Sequence, residues 1–357
     1  MESAPALSAA GSRQRLPFLD WMRGLAVLIM IQCHVFNSFT RLDLRQDGPY
    51  VLSQFVGGMA APLFLFLAGL TLAFQMEGQD RRGASSARKW IAALRRAGYI
   101  LAIAYIFRFT NWIFSRPLPP FETMLRVDIL NCMGFGLAVL SPVATWRIES
   151  RARLTAALGF LIAALSPVVN AIDWSGVPGP LRNYFVPSHL AFAFFPCASY
   201  LAFGLSAGTI LRRLPPDRTE RTMQWAVLAG LGLVATGQYF SSLPYSLYPK
   251  SNFWIDSPAL PVIRLGLILA MLSGAYLWTE FGSGKGWSWV QTLGKTSLMV
   301  YWVHVVLVYG SLAAPWKKAL SAPQSAAATV MVTLLMLGLS IARLRLKSHR
   351  PSATSSH

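Results

Sequence analysis

The sequence contains about ten runs of predominantly apolar residues, most of them close to 20 residues long. A helix of that length rises about 30 Å, the thickness of the hydrocarbon core of a bilayer. Within lipid the backbone must satisfy its own hydrogen bonds, and runs of this length do so as helices. We therefore expect an all-α, polytopic integral membrane protein with about ten transmembrane helices. The expected helices cover residues 18–39, 53–75, 91–113, 127–145, 154–170, 188–210, 223–240, 260–280, 293–313 and 325–342.

The low share of charged residues supports this class. Asp, Glu, Lys and Arg make up 13% of the chain, whereas soluble domains contain about 25%. We expect one transmembrane domain over residues 16–343, between polar tails at 1–15 and 344–357 that are expected to be disordered. A cleavable signal peptide is not expected, because Asp20 and Arg23 interrupt the first apolar run and no small-residue cleavage site follows it.

The net charge of +18 indicates membrane orientation. If the N-terminus is cytoplasmic, the inside loops carry most of the Lys and Arg residues, including Arg81, Arg82, Arg88 and Lys89. This distribution follows the positive-inside rule and places both termini in the cytoplasm. Nucleic acid is not an expected partner, because the predicted helices leave no separate basic domain.

Cysteine and histidine usage gives no sign of a disulfide framework or a metal centre. The cysteines Cys33, Cys132 and Cys197 all fall inside predicted helices, where they are expected to be small core residues. No two histidines share a helix at ligand spacing, so no metal site and no permanently bound cofactor are expected.

One group of ionisable residues lies near the predicted cytoplasmic face. Its members inside or at the ends of predicted helices are Asp20, Arg23, Arg95, Arg96, Glu280 and Lys295. A dense set of cations at one face suits a polyanionic ligand such as a nucleotide phosphate. The positive-inside rule and snorkelling explain Arg81, Arg82, Arg88 and Lys89 without any ligand.

A second group lies towards the predicted outer face. It consists of His34, Arg126, Asp128, His189, Arg264 and, nearer mid-membrane, His304. His34 follows Arg23 by eleven positions, which places both on one side of a helix about 16 Å apart. Histidine is the usual proton acceptor near neutral pH. Each of these histidines taken alone also fits a purely structural role.

Two long outer loops, 171–187 and 241–259, are rich in Pro and aromatic residues. Their aromatic side chains fit an interfacial belt or a sugar-stacking rim around an outward cleft. The sequence leaves both interpretations open.

Several segments together resemble a known family. They are Leu19-Asp20-Trp21-Met22-Arg23-Gly24 with His34, Pro62-Leu63-Phe64-Leu65-Phe66-Leu67-Ala68-Gly69, Arg126-Val127-Asp128-Ile129-Leu130-Asn131-Cys132-Met133-Gly134, His189-Leu190-Ala191-Phe192 and Leu293-Gly294-Lys295-Thr296-Ser297-Leu298-Met299-Val300-Tyr301-Trp302-Val303-His304. In this order they resemble the membrane-bound acyltransferases of the acyltransferase-3 superfamily. The nearer likeness is to the bacterial branch similar to heparan-α-glucosaminide N-acetyltransferase, without a large lumenal N-terminal domain.

The resemblance implies a ten-helix bundle that takes an acyl group, usually acetyl, from cytoplasmic acyl-CoA. The implied acceptor is a hydroxyl or amine, usually of a sugar or a lipid-linked glycan, at the outer face. By the same likeness His34 is the catalytic histidine and Arg23 its paired residue. The implied location is the plasma membrane if the source is bacterial. The resemblance is also compatible with an oligomer.

The charge pattern agrees with this mechanism. Arg23, Arg95, Arg96 and Lys295 are expected to bind acyl-CoA, with acetyl-CoA as the donor substrate. His34 is expected to act as general base, oriented by Asp128. His189, Arg264 and His304 are expected on the acceptor side, with Arg264 stabilising the oxyanion.

Two alternatives remain open. His304 or His189 could replace His34 as the base. A transporter or flippase of a lipid-linked glycan would use the same polar groups as a translocation path, although the sequence shows no inverted repeat.

Overall fold

The computed structural model describes residues 16–115, 117–188, 191–245, 247–282 and 286–348. Within these ranges regular structure is helical, apart from two isolated β-bridges. The helices are α1 (Pro17–Phe39), α2 (Gly48–Gly57), α3 (Ala60–Asp80), α4 (Ser86–Ile113), α5 (Ile129–Ala144), α6 (Ile148–Ala171), α7 (Gly179–Arg182), α8 (Phe194–Arg213), α9 (Thr219–Ser242), α10 (Ala259–Leu277), α11 (Trp289–Lys295), α12 (Ser297–Tyr309) and α13 (Ala322–Ser348). The all-α prediction is confirmed.

Seven helical segments in the described ranges are long and apolar enough to cross a bilayer. They are Pro17–Phe39, Gly48–Asp80, Ser86–Ile113, Ile148–Ala171, Phe194–Arg213, Ala259–Gly282 and Ala322–Ser348. Helices α5 and α12 are apolar but shorter, and α9 is not among the seven. The chain is therefore a polytopic membrane protein, while the predicted count of ten spans is not confirmed.

Some predicted boundaries differ from the helices. The segment predicted at 293–313 is divided at Thr296, whose backbone leaves the helical region between α11 and α12. The segment predicted at 188–210 becomes helical only at Phe194. Helix α13 continues to Ser348, five residues past the predicted end of the transmembrane domain at 343.

Helix α1 lies at the centre of the bundle. It contacts α2, α3, α10, α11, α12 and α13. Its apolar residues Met22, Ala26, Val27, Ile31 and Val35 are fully buried. Because neighbours surround α1, its polar side chains project into protein.

Glycines allow the closest helix contacts. A Cβ atom on Gly24 of α1 would lie 2.0 Å from the Val290 carbonyl oxygen, and one on Gly294 of α11 would lie 1.8 Å from the Asp20 carbonyl oxygen. Helices α3 and α8 meet in the same way at Gly69 and Gly204. Small residues at such contacts are typical of helix packing in membranes, where van der Waals contact replaces the hydrophobic drive.

Polar contacts fasten other helices. Thr40, just after α1, shares a 3.0 Å hydrogen bond with Ser325 of α13. At the other end of the bundle, the Asp80 carboxylate binds Lys89 Nζ at 2.8 Å and Arg151 Nη2 at 2.9 Å, which joins α3, α4 and α6. Arg151 is only 1% exposed. Lys89 and Arg151 therefore stabilise the fold as well as adding positive charge.

Substituting Gly204 by Ala should destabilise the protein. The added Cβ would stand 1.9 Å from the Phe66 carbonyl oxygen, and overpacking of this kind costs about 1–3 kcal/mol. Gly232→Ala in α9 is the control, because no atom lies within 4 Å of the added Cβ. Alanine favours helix by about 1 kcal/mol over glycine, so the control should melt at the same temperature or higher. Equal melting temperatures for both variants in detergent would contradict the close α3–α8 contact.

Candidate functional site

Two histidines from distant parts of the sequence meet in the bundle. His34 Nδ1 on α1 lies 2.9 Å from His304 Nε2 on α12. The two rings are nearly parallel, at 10°, with centroids 5.1 Å apart. His304 is completely buried, whereas His34 is half-buried. His34 therefore keeps some exposed surface, which His304 lacks.

The register of α1 against α12 is fixed at a second contact. Ser38 Oγ donates to the Val308 carbonyl oxygen at 2.9 Å, with the same separation of 270 positions as the histidine pair. The two helices therefore run in the same direction, and Tyr301 lies level with Ile31.

The two histidines differ in what they can offer a substrate. His304 Nδ1 lies 2.6 Å from the Val300 carbonyl oxygen, so both of its ring nitrogens are engaged. In the part of the chain that the structure describes, His34 Nε2 forms no hydrogen bond. Of the pair, only His34 can present a ring nitrogen to a bound molecule.

Aromatic rings surround the pair. The Tyr309 ring meets His34 edge-on at 5.4 Å, and the Tyr301 ring lies 6.1 Å from His304. The Tyr309 hydroxyl donates to Asn37 Oδ1 at 3.2 Å. These rings restrict water around the imidazoles, which strengthens electrostatic interactions there.

Arg23 is held from two sides, near the end of the bundle where α1 begins. We call this the inner end, since it is the predicted cytoplasmic side. Arg23 Nη1 pairs with Asp20 Oδ1 at 2.9 Å, and Arg23 Nη2 donates to Thr71 Oγ1 on α3 at 3.1 Å. The Thr71 hydroxyl donates in turn to the Leu67 carbonyl oxygen. The guanidinium is thus oriented before any ligand arrives.

A cavity of about 250 Å³ extends from Arg23 and Arg96 towards the histidine pair. Apolar residues of α3, α4 and α5 form most of its wall, and Tyr301 of α12 lines it as well. From the level of Arg23 to that of Tyr301 is eight residues of α1, or about 12 Å. Neither His34 nor His304 lines the cavity, which ends about one helical turn before them.

The two arginines in the cavity differ in charge compensation. Arg23 is balanced by Asp20. Arg96 Nη1 donates to the neutral Gln75 side chain at 3.3 Å, and no described carboxylate forms an ion pair with it. A cation with no counterion among the described residues, beside an apolar cavity, favours an anionic ligand group.

The other predicted cations of the inner group lie elsewhere. Arg95 is exposed on α4, and Lys295 is exposed at the end of α11. Neither lines the cavity. The structure therefore brings Arg23 and Arg96 together at the cavity, but not Arg95 or Lys295.

Asp128 is placed differently from the expectation that it orients His34. It is the N-cap of α5, where its Oδ1 accepts hydrogen bonds from the amides of Leu130 and Asn131. Such a cap satisfies otherwise unpaired amides of the first turn. The side chain that contacts the His34 ring nitrogen is His304, not Asp128.

On the expected acceptor side, Arg264 does not contact either histidine of the pair. It lies half-buried on α10 behind the α2–α3 junction, where a Cβ on Gly58 would meet its Nη2 at 2.9 Å. The neighbouring Gly57 packs against Cys33. His189 lies outside the described residues.

Sequence reasoning missed three residues that shape the site, namely Thr71, Gln75 and Tyr301. Tyr301 could have been found, because it precedes His304 by three positions and therefore shares a helix face with it. Thr71 and Gln75 carry no local signal, since their roles depend on arginines of other helices.

Comparison with protein families identifies the family of this chain. The model of a family described as an acyltransferase domain matches residues 16–342, nearly all of the described chain. No curated protein matches the sequence.

Proposed function

The chain belongs to the acyltransferase-3 family, and on that premise we propose that it uses cytoplasmic acyl-CoA as the donor. The proposed acyl group is acetyl, and the proposed acceptor is a hydroxyl or amine of a sugar or lipid-linked glycan at the outer face. A bacterial host would place this integral membrane acyltransferase in the plasma membrane. Family membership favours this reaction over a transporter or flippase.

The observation that carries the proposal is the cavity between the arginines and the histidine pair. It has cations at the inner end, apolar walls along its length and Tyr301 at its far end. Acyl-CoA has the same sequence of chemical groups: phosphates, then a long thin arm, then a thioester. In this proposal the arm occupies the cavity, and the nucleotide remains at the inner surface.

In this pose Arg96 and Arg23 bind phosphate oxygens. Arg96 contributes a charge that no described carboxylate balances, and Arg23 is pre-oriented by Asp20 and Thr71. Guanidinium groups bind phosphate through two parallel hydrogen bonds. The thioester then lies near Tyr301, about one helical turn from His34 and His304.

The transfer needs one base. His34 Nε2 takes the proton from the acceptor hydroxyl or amine as the acceptor atom attacks the thioester carbonyl carbon. The carbon–sulfur bond breaks, and the thiolate of CoA recovers the proton from His34. The products are the acylated acceptor and free CoA. This role goes to His34 and not to His304, because both nitrogens of His304 are engaged.

An aromatic cavity supports a glycan acceptor. It has a volume of about 580 Å³ and lies between α9, α10 and the loop 241–259. Phe240, Tyr245, Tyr248 and Phe253 line it. Aromatic faces next to hydroxyl groups suit the stacking of sugar rings, which favours the rim interpretation of this loop.

Acetyl-CoA should stabilise the detergent-purified protein. A ligand that binds only the folded state adds about 2.7 kcal/mol at a hundredfold excess over Kd. The measurement is the melting temperature against acetyl-CoA concentration, with ADP as the nucleotide control. A saturable rise specific to acetyl-CoA is expected. If the melting temperature does not rise at millimolar acetyl-CoA, the proposed donor site is wrong, and the flippase interpretation is favoured.

Arg96→Gln should weaken acetyl-CoA binding by about tenfold or more, because a hydrogen bond to a charged group contributes about 1.5–3 kcal/mol. Arg95→Gln is the matched control, since it removes the same charge from the next residue, which does not line the cavity. The control should bind as the wild type does. Equal affinity losses in both variants would indicate general surface attraction instead of a site.

His34→Ala should abolish transfer while leaving donor binding intact. General-base catalysis contributes about 10²–10⁴-fold to the rate. The assay follows labelled acetyl groups from acetyl-CoA into the lipid and glycan fraction of inverted membrane vesicles, and melting reports donor binding. Wild-type incorporation by His34→Ala would exclude His34 as the base.

A further inference from the structure

We propose that His304 is a positioning residue that fixes the tautomer of His34, with the proton on Nδ1 and the lone pair on Nε2. The inference deepens the proposed function, because it concerns the histidine assigned there as the base. It rests on two consecutive hydrogen bonds that link the Val300 carbonyl oxygen to the His304 ring and the His304 ring to the His34 ring.

The Val300 carbonyl oxygen determines that His304 carries a proton on Nδ1. A backbone carbonyl can only accept hydrogen bonds, and it has two lone pairs. His304 Nδ1 lies 2.6 Å from the Val300 oxygen, so Nδ1 carries a hydrogen and donates it. Val300 precedes His304 by one helical turn, and this bond locks the ring within α12.

The burial of His304 determines that its second nitrogen, Nε2, is unprotonated. His304 has no exposed surface, and no carboxylate of the described chain pairs with it. A charged imidazolium in that position would lose its hydration without compensation, which is strongly unfavourable. His304 is therefore neutral. With its proton on Nδ1, its Nε2 can only accept.

The tautomer of His34 follows. Its Nδ1 lies 2.9 Å from His304 Nε2, which is an acceptor, so His34 Nδ1 must donate. The other nitrogen, Nε2, then holds a lone pair and faces no partner among the described residues. A histidine in this state can take a proton on Nε2 from the hydroxyl or amine of the substrate without first losing a proton.

The same bond serves after proton transfer. When His34 takes the proton on Nε2, its Nδ1–H remains hydrogen-bonded to His304 Nε2, and no proton has to cross between the rings. In catalytic triads a carboxylate holds the imidazole in this way. Here a neutral imidazole, itself oriented by a backbone carbonyl, does so.

Nitrogen NMR on protein labelled with ¹⁵N-histidine tests the tautomer directly, without donor or acceptor. The signals of His34 are identified by their loss in His34→Gln. In the wild type, Nδ1 of neutral His34 should be protonated and Nε2 unprotonated. His304→Gln places an amide oxygen near the position of Nε2 and should retain this state. His304→Leu removes the acceptor, and the proton should leave Nδ1.

Vesicle kinetics supply the second readout. In His304→Leu, kcat should fall by about 10²–10⁴-fold, the contribution of a general base, while KM for acetyl-CoA stays unchanged. His304→Gln should recover most of kcat. An unchanged melting shift with acetyl-CoA shows that each variant is folded.

The outcomes separate this inference from the proposed function. If His34→Ala keeps wild-type transfer, the proposed base is wrong whatever His304 does. If His34 is essential but His304→Leu keeps the Nδ1 proton or the wild-type kcat, only the positioning role is overturned. Equal losses in His304→Gln and His304→Leu would also overturn it, since they would show that His304 acts through packing and not as an acceptor.

Discussion

The rest of the site depends on the close approach of α1 and α11. Gly24 and Gly294 let the two backbones touch, with no room for a side chain at either position. Only Thr296 separates α11 from α12, so this contact also sets where α12 begins. From that start α12 runs beside α1 in a fixed register, which brings His304 to His34. A packing contact made by two glycines thus positions an imidazole pair several turns away.

Charged groups in the bundle fall into two kinds, distinguished by their partners. Lys89 and Arg151 both pair with the Asp80 carboxylate, which joins three helices. Arg23 and Arg96 line a cavity, and only Arg23 has a carboxylate partner among the described residues. In an apolar interior an unbalanced charge is unfavourable until an anion arrives. The cations that join the helices are therefore different from those that line the cavity at the same end of the bundle.

The site was partly visible in the sequence. The spacing of Arg23 and His34 on one helix predicted that they share a side, and both face the interior of the bundle near the cavity or the histidine pair. Neighbouring arginines could not be separated in this way. Arg95 and Arg96 differ by about 100° around α4, and which one meets the cavity depends on how α4 packs. Asp128 was equally ambiguous, because Asp beside a helix start fits a cap or a catalytic partner.

By itself the sequence determined an all-helical membrane protein, because apolar runs of bilayer length leave the backbone no other way to satisfy its hydrogen bonds. Its ordered motifs also indicated the family, which the match over residues 16–342 shows. Only the tertiary structure decided the partner of His34. That partner lies 270 positions away. Helix periodicity relates residues within one helix, but it does not give the rotation and register of two helices relative to each other. Those are set by side-chain packing and by glycine contacts between helices, which no local pattern encodes.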